Sequence, residues 1–369
     1  MTQRGADRLG IYVLPGPATD PAAAALETKT AENLGLGSAW LSELQGPFKD
    51  AGTICGVMGH VTDRIKVGTS VSHFVTRHPM VSASWGATMQ ALTGGRFQFG
   101  FGRASNARWQ NWGVPNQTST LMEDYALILR RLWRGETVSY DGPAGRYSDL
   151  RLDDAGHPGL PPTIAPHYRP PQLLLAAIGP RTLEVAGRSF DGVLLHPALT
   201  SDAVGRAREI VHRAAQGAGR DPNEIVVYSQ LVVAPDLDDN ETELVIGARF
   251  AAYFIPPVNS QALFRFNGWD EAPLERLRAE VQRALHANAS ARSPLSSREL
   301  LVNPSRTMPI EWTAAASAAG STDYCASRMH EYLDAGADRI IIHGTTAPGI
   351  AQTIAAFVTQ RAGEDFVDA

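Results

Sequence analysis

The stretch PMVSASWGATMQALTGGRFQFGFG, residues 79–102, holds one helix-to-strand unit. Pro79 suits a first helical turn, apolar residues run at helical spacing to Leu92, and Gly94-Gly95 stops the helix. Arg96–Gly102 then reads as a short apolar strand, the fourth of the chain. The same order recurs on both sides. Upstream lie strand one at Leu9–Leu14, closed by Pro15 and Gly16, a helix over Asp20–Leu34 with Asp20 as cap, strand two at Ser38–Ser42 and strand three at Ile65–Val71. Downstream come a helix at Leu121–Trp133, strand five at Gln172–Ile178, a helix opening at Thr182–Ala186 and strand six at Asp191–Leu195. A helix at Asp202–Ala215, strand seven at Ile225–Val233 and a helical pattern over Asn240–Ile255 follow. The repeat resumes with a helix at Tyr324–Ala335, strand eight at Arg339–His343 and a closing helix at Ala347–Phe357. Eight strands alternating with helices predict an α/β architecture, a closed (β/α)8 TIM barrel, with an open doubly wound sheet as the alternative. Residues 135–171, rich in Pro, Gly and Asp, and residues 256–320 break the repeat and are expected as two insertions in a single domain spanning 1–369.

With 34 Gly and 24 Pro in 369 residues the chain is below low-complexity composition, so a folded globular protein is expected. Lys and Arg number 33 against 38 Asp and Glu, a net charge of −5, and no dense basic run occurs, which argues against nucleic acid as a partner. No apolar run approaches the roughly 18 residues of a membrane span, and Met1–Arg8 is polar, so a cytoplasmic protein without a membrane partner is expected. Cys55 and Cys325 are the only cysteines, which leaves no disulfide framework and suits two lone buried thiols.

In such a barrel chemistry sits at the carboxyl ends of the strands. The residues found there are polar: Glu43 after strand two, His73 after three, Arg103 and Asn106 after four, Gly179 and Arg181 after five, His196 after six and His343 after eight. Each also has an ordinary reading as a hydrogen-bonded strand end. The histidines His73, His78, His196 and His343 lack any metal-ligand spacing, and no metal is expected. Gly100-Phe101-Gly102 is a weak echo of a dinucleotide turn, and no G-x-S-x-G nucleophile elbow occurs. Gly179-Pro180-Arg181-Thr182 follows a strand and opens a helix, where free N–H groups and the helix dipole favour an anion such as phosphate.

Four stretches resemble the luciferase-like monooxygenase superfamily: Ala31–Glu43, Val67–Val71, Arg77–Gly102, and Ala176–Arg181 running on to Asp191–Leu195. Gly336-Ala337-Asp338 with strand eight extends the likeness, whereas 256–320 lies outside it. The resemblance implies a (β/α)8 barrel holding FMN or the deazaflavin coenzyme F420 at its rim. Gly68-Thr69-Ser70-Val71 resembles the F420-dependent oxidoreductase branch, which carries a non-prolyl cis peptide there, placed here at Ser70–Val71 behind the ring. By the same resemblance Glu43 and His73 stand near the ring as catalytic acid–base candidates. Asn106 and Gly102 flank it, and Ile178, Gly179, Arg181 and Thr182 hold the phosphate-bearing arm. The sugar-phosphate dehydrogenases of the branch carry a His and a Glu where this chain has Leu44 and Arg103, which argues against that reaction. Arg103 and Arg108 stand either as attractors of the cofactor's anionic tail or as solvated surface charges.

The expected function is F420-dependent hydride transfer to or from a small organic substrate of alcohol, ketone or enone type. One alternative is an FMN-dependent monooxygenase fed by a separate cofactor reductase, and another is a flavin-binding protein without turnover. The family resemblance implies a homodimer, for which helices Pro79–Leu92 and Leu121–Trp133 are interface candidates, and the two insertions are expected to supply a lid and the substrate pocket.

Overall fold

The structure, a computed structural model, describes residues 5–13, 20–43, 50–103, 106–152, 169–288 and 298–362. Short strands of branched and aromatic residues, buried on both faces, form a parallel sheet. They are β1 (Leu9–Tyr12), β2 (Ser38–Leu41), β3 (Lys66–Thr69), β4 (Phe97–Gly102), β5 (Gln172–Ala177), β6 (Gly192–Leu195), β7 (Val226–Pro235) and β8 (Arg339–His343). Neighbours in sequence are neighbours in the sheet, all parallel. Gly10 of β1 pairs with Ser38 of β2 on one side and with Ile341 of β8 on the other, so the sheet closes into the expected barrel. The open doubly wound alternative falls with that closure.

Inside the barrel Trp40, Leu174, Leu194, Tyr228 and Ile341 form a separate inner core, Trp40 edge-on to Tyr228 at 5.1 Å. Gln98 meets its polar needs there by donating to Gln172 Oε1 at 2.8 Å and to the Tyr228 hydroxyl at 2.9 Å. Outside, a larger apolar layer joins strands to helices. The helix Pro79–Thr93 starts at His78, whose Nδ1 accepts from the Met80 N–H at 3.2 Å, and ends at Gly94 with φ 62°. Within β4, a Cβ on Gly100 would lie 2.0 Å from the Thr69 carbonyl oxygen, so only glycine lets β3 and β4 approach this closely.

The amino-terminal ends of the strands are tied by carboxylates. Asp191 Oδ2 accepts from the Leu173 N–H and Oδ1 from Arg130, each at 2.8 Å. Asp338 does the same below β7 and β8, accepting from the Val227 N–H at 2.7 Å and Arg208 at 2.9 Å. The Asp-Gly and Gly-Ala-Asp stretches of the sequence therefore build the floor of the barrel rather than its site.

Expected and observed elements differ at several places. The helix after strand one begins at Ala23, with Asp20 accepting from the Ala22 N–H at 2.9 Å one turn earlier. The end of the expected first strand, Leu14, and its closing Pro15 and Gly16 lie outside the described residues. Within 135–171 a hairpin pairs Val138–Gly142 with Gly145–Leu150, and 153–168 lie outside the described residues. The 256–320 region carries the helices Pro257–Asn267, Pro273–Ala287, Glu299–Ser305 and Ile310–Ala316. Ser317–Gly320 then adds an unexpected parallel strand along the far half of β7, Val232 opposite Ser317. Of the two helices expected at a dimer interface, the one ending at Trp133 buries Leu121, Tyr125, Leu129 and Trp133 within this molecule, Trp133 donating to the Ala83 carbonyl at 2.9 Å, while Leu127 on it and Val81 and Leu92 on Pro79–Thr93 are exposed. No helix among the described residues is long and apolar enough to cross a membrane.

Candidate active site

The peptide bond Ser70–Val71, directly after β3, is cis, as the resemblance implied. Beyond it Ser72–His73 continue as a two-residue strand beside Phe101 and Gly102 of β4. Gly102 makes this possible, because a Cβ there would sit 2.5 Å from Val71 Cγ2. Val71 itself is half-buried and rests on the inner core, so the mouth of the barrel presents an apolar shelf on the β3–β4 side.

Glu43, 7% exposed, stands beside that shelf with its backbone N–H donating to the Val71 carbonyl at 3.0 Å. Its carboxylate pairs with Arg77 Nη1 at 2.5 Å and accepts from the Ser72 hydroxyl at 2.5 Å. Arg77 in turn lies over the Trp85 ring, 4.8 Å from its centroid. The expected acid is thus a held, charged group with both oxygens engaged. The buried His73 ring packs against Trp112 at 5.3 Å between centroids. The side chains of Asn106 and Arg108, and all of Leu44, lie outside what the structure describes. Arg103 reaches across to the Gln117 carbonyl at 3.3 Å.

After β5, Ile178 and Gly179 are half-buried and the helix Pro180–Ser189 begins with Gly179 as its cap residue. No side chain caps this terminus, and a Cβ at Gly179 would meet nothing within 4 Å, so the amino end is open. Arg181 is exposed and Thr182 is buried in the first turn. The Thr182 and Leu183 N–H groups turn back onto the Gly179 carbonyl, each at 3.1 Å, and Pro180 has none, so the helix dipole is what this end offers an anion.

The opposite side of the mouth carries a network that the sequence reading missed in part. Gln230 of β7 accepts from the Ser70 hydroxyl at 3.2 Å, donates to the Leu195 carbonyl at 2.8 Å, and bonds His343 Nε2 at 2.8 Å. His343 stacks on Tyr12 at 4.4 Å, and the Tyr12 hydroxyl is bonded to Ser42. Burial, reinforced by Arg249, His196 and Arg298, holds the His343 imidazole well below its usual pKa, so it is neutral. With Gln230 Oε1 as acceptor, that neutral ring carries its proton on Nε2. His196 packs edge-on to Tyr253 at 4.8 Å, and burial brings it down to about 4. His78 meets Tyr147 of the hairpin edge-on at 4.8 Å, away from the other three histidines. Among the described residues no group of three or more His, Cys, Asp or Glu could hold a metal ion, and both cysteines are buried free thiols. In the sequence Gln230 is the lone amide of the run Val226–Ala234 and Arg249 the sole charge in Leu244–Ile255, patterns that do not by themselves say which way either side chain turns.

Residues 8–339 match the model of the luciferase-like monooxygenases, and the chain belongs to that family. It is an enzyme, an oxidoreductase whose relatives use F420 or FMN. It is 24% identical over 327 residues to the 5,10-methylenetetrahydromethanopterin reductase of Methanolobus tindarius, covering 88% of this chain and 91% of that one. In fold it is similar to the coenzyme F420-dependent tetrahydromethanopterin reductase of Methanopyrus kandleri, with a TM-score of 0.72 at 20% identity over 97% of this chain and 99% of that one. The FMN-bound oxygenating constituent of 3,6-diketocamphane monooxygenase from Pseudomonas putida superposes with a TM-score of 0.64 at 16% identity, covering 95% and 98%.

Proposed function

We propose that the chain is an F420-dependent oxidoreductase that moves a hydride between the deazaflavin and a small organic substrate of alcohol, ketone or enone type. The observation that carries the reading is the span across the barrel mouth. An open helix terminus with Arg181 stands after β5, and the Val71 shelf lies over β3 and β4. The polar Ser70–Gln230–His343 chain faces them from β7 and β8. These residues fit the cofactor: the Gly179 turn has room and the positive end of a helix dipole for its phosphate, and a flat ring system has an apolar seat on Val71. When bound, the deazaflavin supplies a carbon that gives or takes a hydride. The chain's own part is to bind the arm at Ile178, Gly179, Arg181 and Thr182, to seat the ring against Ser70 and Val71 beside Gly102, and to shield the reacting atoms from water. Asn106 opens the helix next to this seat and is assigned to its rim. Glu43, fixed by Arg77 and Ser72, places a charge at the ring's edge, and His73 beside Trp112 is the group assigned to carry the substrate proton.

Relatives of both cofactor types exist, and the likeness to the F420-dependent hydroxymycolic acid dehydrogenase of Mycobacterium tuberculosis, 27% identical over 215 residues, favours the deazaflavin. Anaerobic incubation with F420 and a panel of secondary alcohols, or with reduced F420 and the matching ketones and enones, tests it. Change of the deazaflavin absorbance without oxygen uptake is the expected result. Turnover that requires reduced FMN and consumes oxygen would assign the chain to monooxygenation instead.

A further inference from the structure

The helical segment after β7 carries Arg249, 5% exposed, among apolar neighbours. Its Nε reaches the Val245 carbonyl at 3.4 Å and its Nη1 the Tyr253 hydroxyl at 3.5 Å, both long contacts. Its Nη2 is buried with no hydrogen-bond partner among the described residues, and no described carboxylate pairs with it. A buried guanidinium left this way is costly, because the desolvated charge and donor go uncompensated.

The neighbourhood is cationic. Val245, one turn before Arg249, closes on the end of β8: a Cβ on Gly344 would lie 2.9 Å from Val245 Cγ1. His343 therefore stands next to this helix, and its Nδ1 is a second buried polar atom with no partner among the described residues. Tyr253 brings His196 in at 4.8 Å and Tyr12 lies on His343. Burial, with Arg249 close by, brings Arg298 down to about 10, so it too is charged at neutral pH. Arg249 thus carries an orphaned donor and the neutral His343 ring an orphaned acceptor, on adjoining elements, with Tyr253 beside the one and Tyr12 on the other.

We infer that this corner, built from Arg249 with Arg298, Tyr253, Tyr12, His196 and His343, binds a substrate that bears a carboxylate or similar oxyanion on an apolar body. The inference rests on the reading of the mouth as a redox site and narrows its substrate class. The oxyanion meets Arg249 Nη2, and a hydroxyl of the same ligand, or a water beside it, donates to His343 Nδ1. The barrel order separates this corner from the cofactor's phosphate turn. That turn follows β5, whereas His343 ends β8 and Tyr12 ends β1, three and four strands further round the barrel; Arg249 follows β7, two strands on, and His196 on the β6 side is the corner's nearest approach to the turn. The anion expected here is consequently the substrate's.

Calorimetric titration with mandelate and with uncharged mandelamide, in the absence of cofactor and again with saturating F420, tests the assignment. Mandelate is expected to bind at least tenfold more tightly than mandelamide and to keep that preference when F420 is present. Arg249→Met should abolish the preference and Arg249→Lys retain part of it, with unchanged far-ultraviolet circular dichroism. Equal binding of the two ligands by the natural chain would overturn the inference, whatever the fate of the variants. Loss of mandelate binding on adding F420 would also overturn it, by giving the corner to the cofactor's own anions. Because binding is read without turnover, a negative result leaves the cofactor assignment standing, and failure of F420 to bind leaves the anion site to be judged alone.

Discussion

Glu43 and Arg77 form a nearly buried pair at the rim, and Ser72 takes the second carboxylate oxygen. Removing the cation leaves a desolvated carboxylate behind, so Arg77→Met should lower stability by about 2–4 kcal/mol. The check is the urea midpoint, and an unchanged midpoint would mean that solvent already screens the pair. For His73, exchange to Gln keeps the size of the ring's neighbourhood but removes the proton carrier. Turnover should fall about 100-fold with KM changed little, and the limb of the pH profile that reports the imidazole should vanish. A drop in kcat with the profile intact would make His73 a positioning group. Residues of this kind were readable because they directly follow apolar runs. Gln230 was not read because it sits inside a strand, where a polar side chain is visible only once the barrel interior is known. Arg249 was hidden because a single charge in an apolar helical run looks the same whether it is solvated or turned inward.

Among the elements, the helix Ala23–Asn33 shows how a stretch of family resemblance can be structural. Glu32 near its end accepts from the N–H groups of Asp63, Arg64 and Ile65 at 2.8, 2.7 and 3.1 Å, closing the turn that leads into β3. Burial alone would raise its pKa, but Lys29 and these three N–H groups prevail and hold it at about 2. The folded value lies below the unfolded one, so the stabilisation is complete above about pH 5 and fades as the pH falls towards 2, a contribution of roughly 2–3 kcal/mol. Glu32→Gln should cost about that much at pH 7 and almost nothing near pH 2, measured by denaturant unfolding at both. At β4, Gly102→Ala forces a methyl against Val71 and should cost about 1–3 kcal/mol while weakening F420 binding at least tenfold. Binding by that variant with the natural affinity would separate the Val71 shelf from the cofactor. Strand eight was legible to the residue because Arg339–His343 is a branched run bounded by Gly-Ala-Asp and glycine. Ser317–Gly320 was not, since Ser-Ala-Ala-Gly has no strand propensity and pairs only because β7 extends past its neighbours.

At the scale of the molecule, eight βα units close a barrel whose floor is tied by Asp191 and Asp338 and whose mouth carries the polar side chains. Closure was legible in the alternation of runs, because a parallel strand buried on both faces needs a covering helix on each connection. The contents of the mouth were legible from β2 to β5 and, on the other side, only in His196 and His343. The β7 to β8 side depends on the helical insertion, whose aromatic core of Phe254, Phe264, Trp269 and Trp312 fixes it through contacts far apart in sequence. Asn267 ties that insertion to the β6 loop, accepting from the Thr200 N–H at 3.1 Å and donating to the Ala198 carbonyl at 2.8 Å. The central claim concerns which cofactor spans this mouth. A parallel titration of the purified cofactor-free chain with F420 and with FMN, followed by tryptophan quenching and cofactor fluorescence, addresses it most directly. The account predicts micromolar or tighter F420 binding, with FMN at least tenfold weaker. Tighter binding of FMN than of F420 would contradict it.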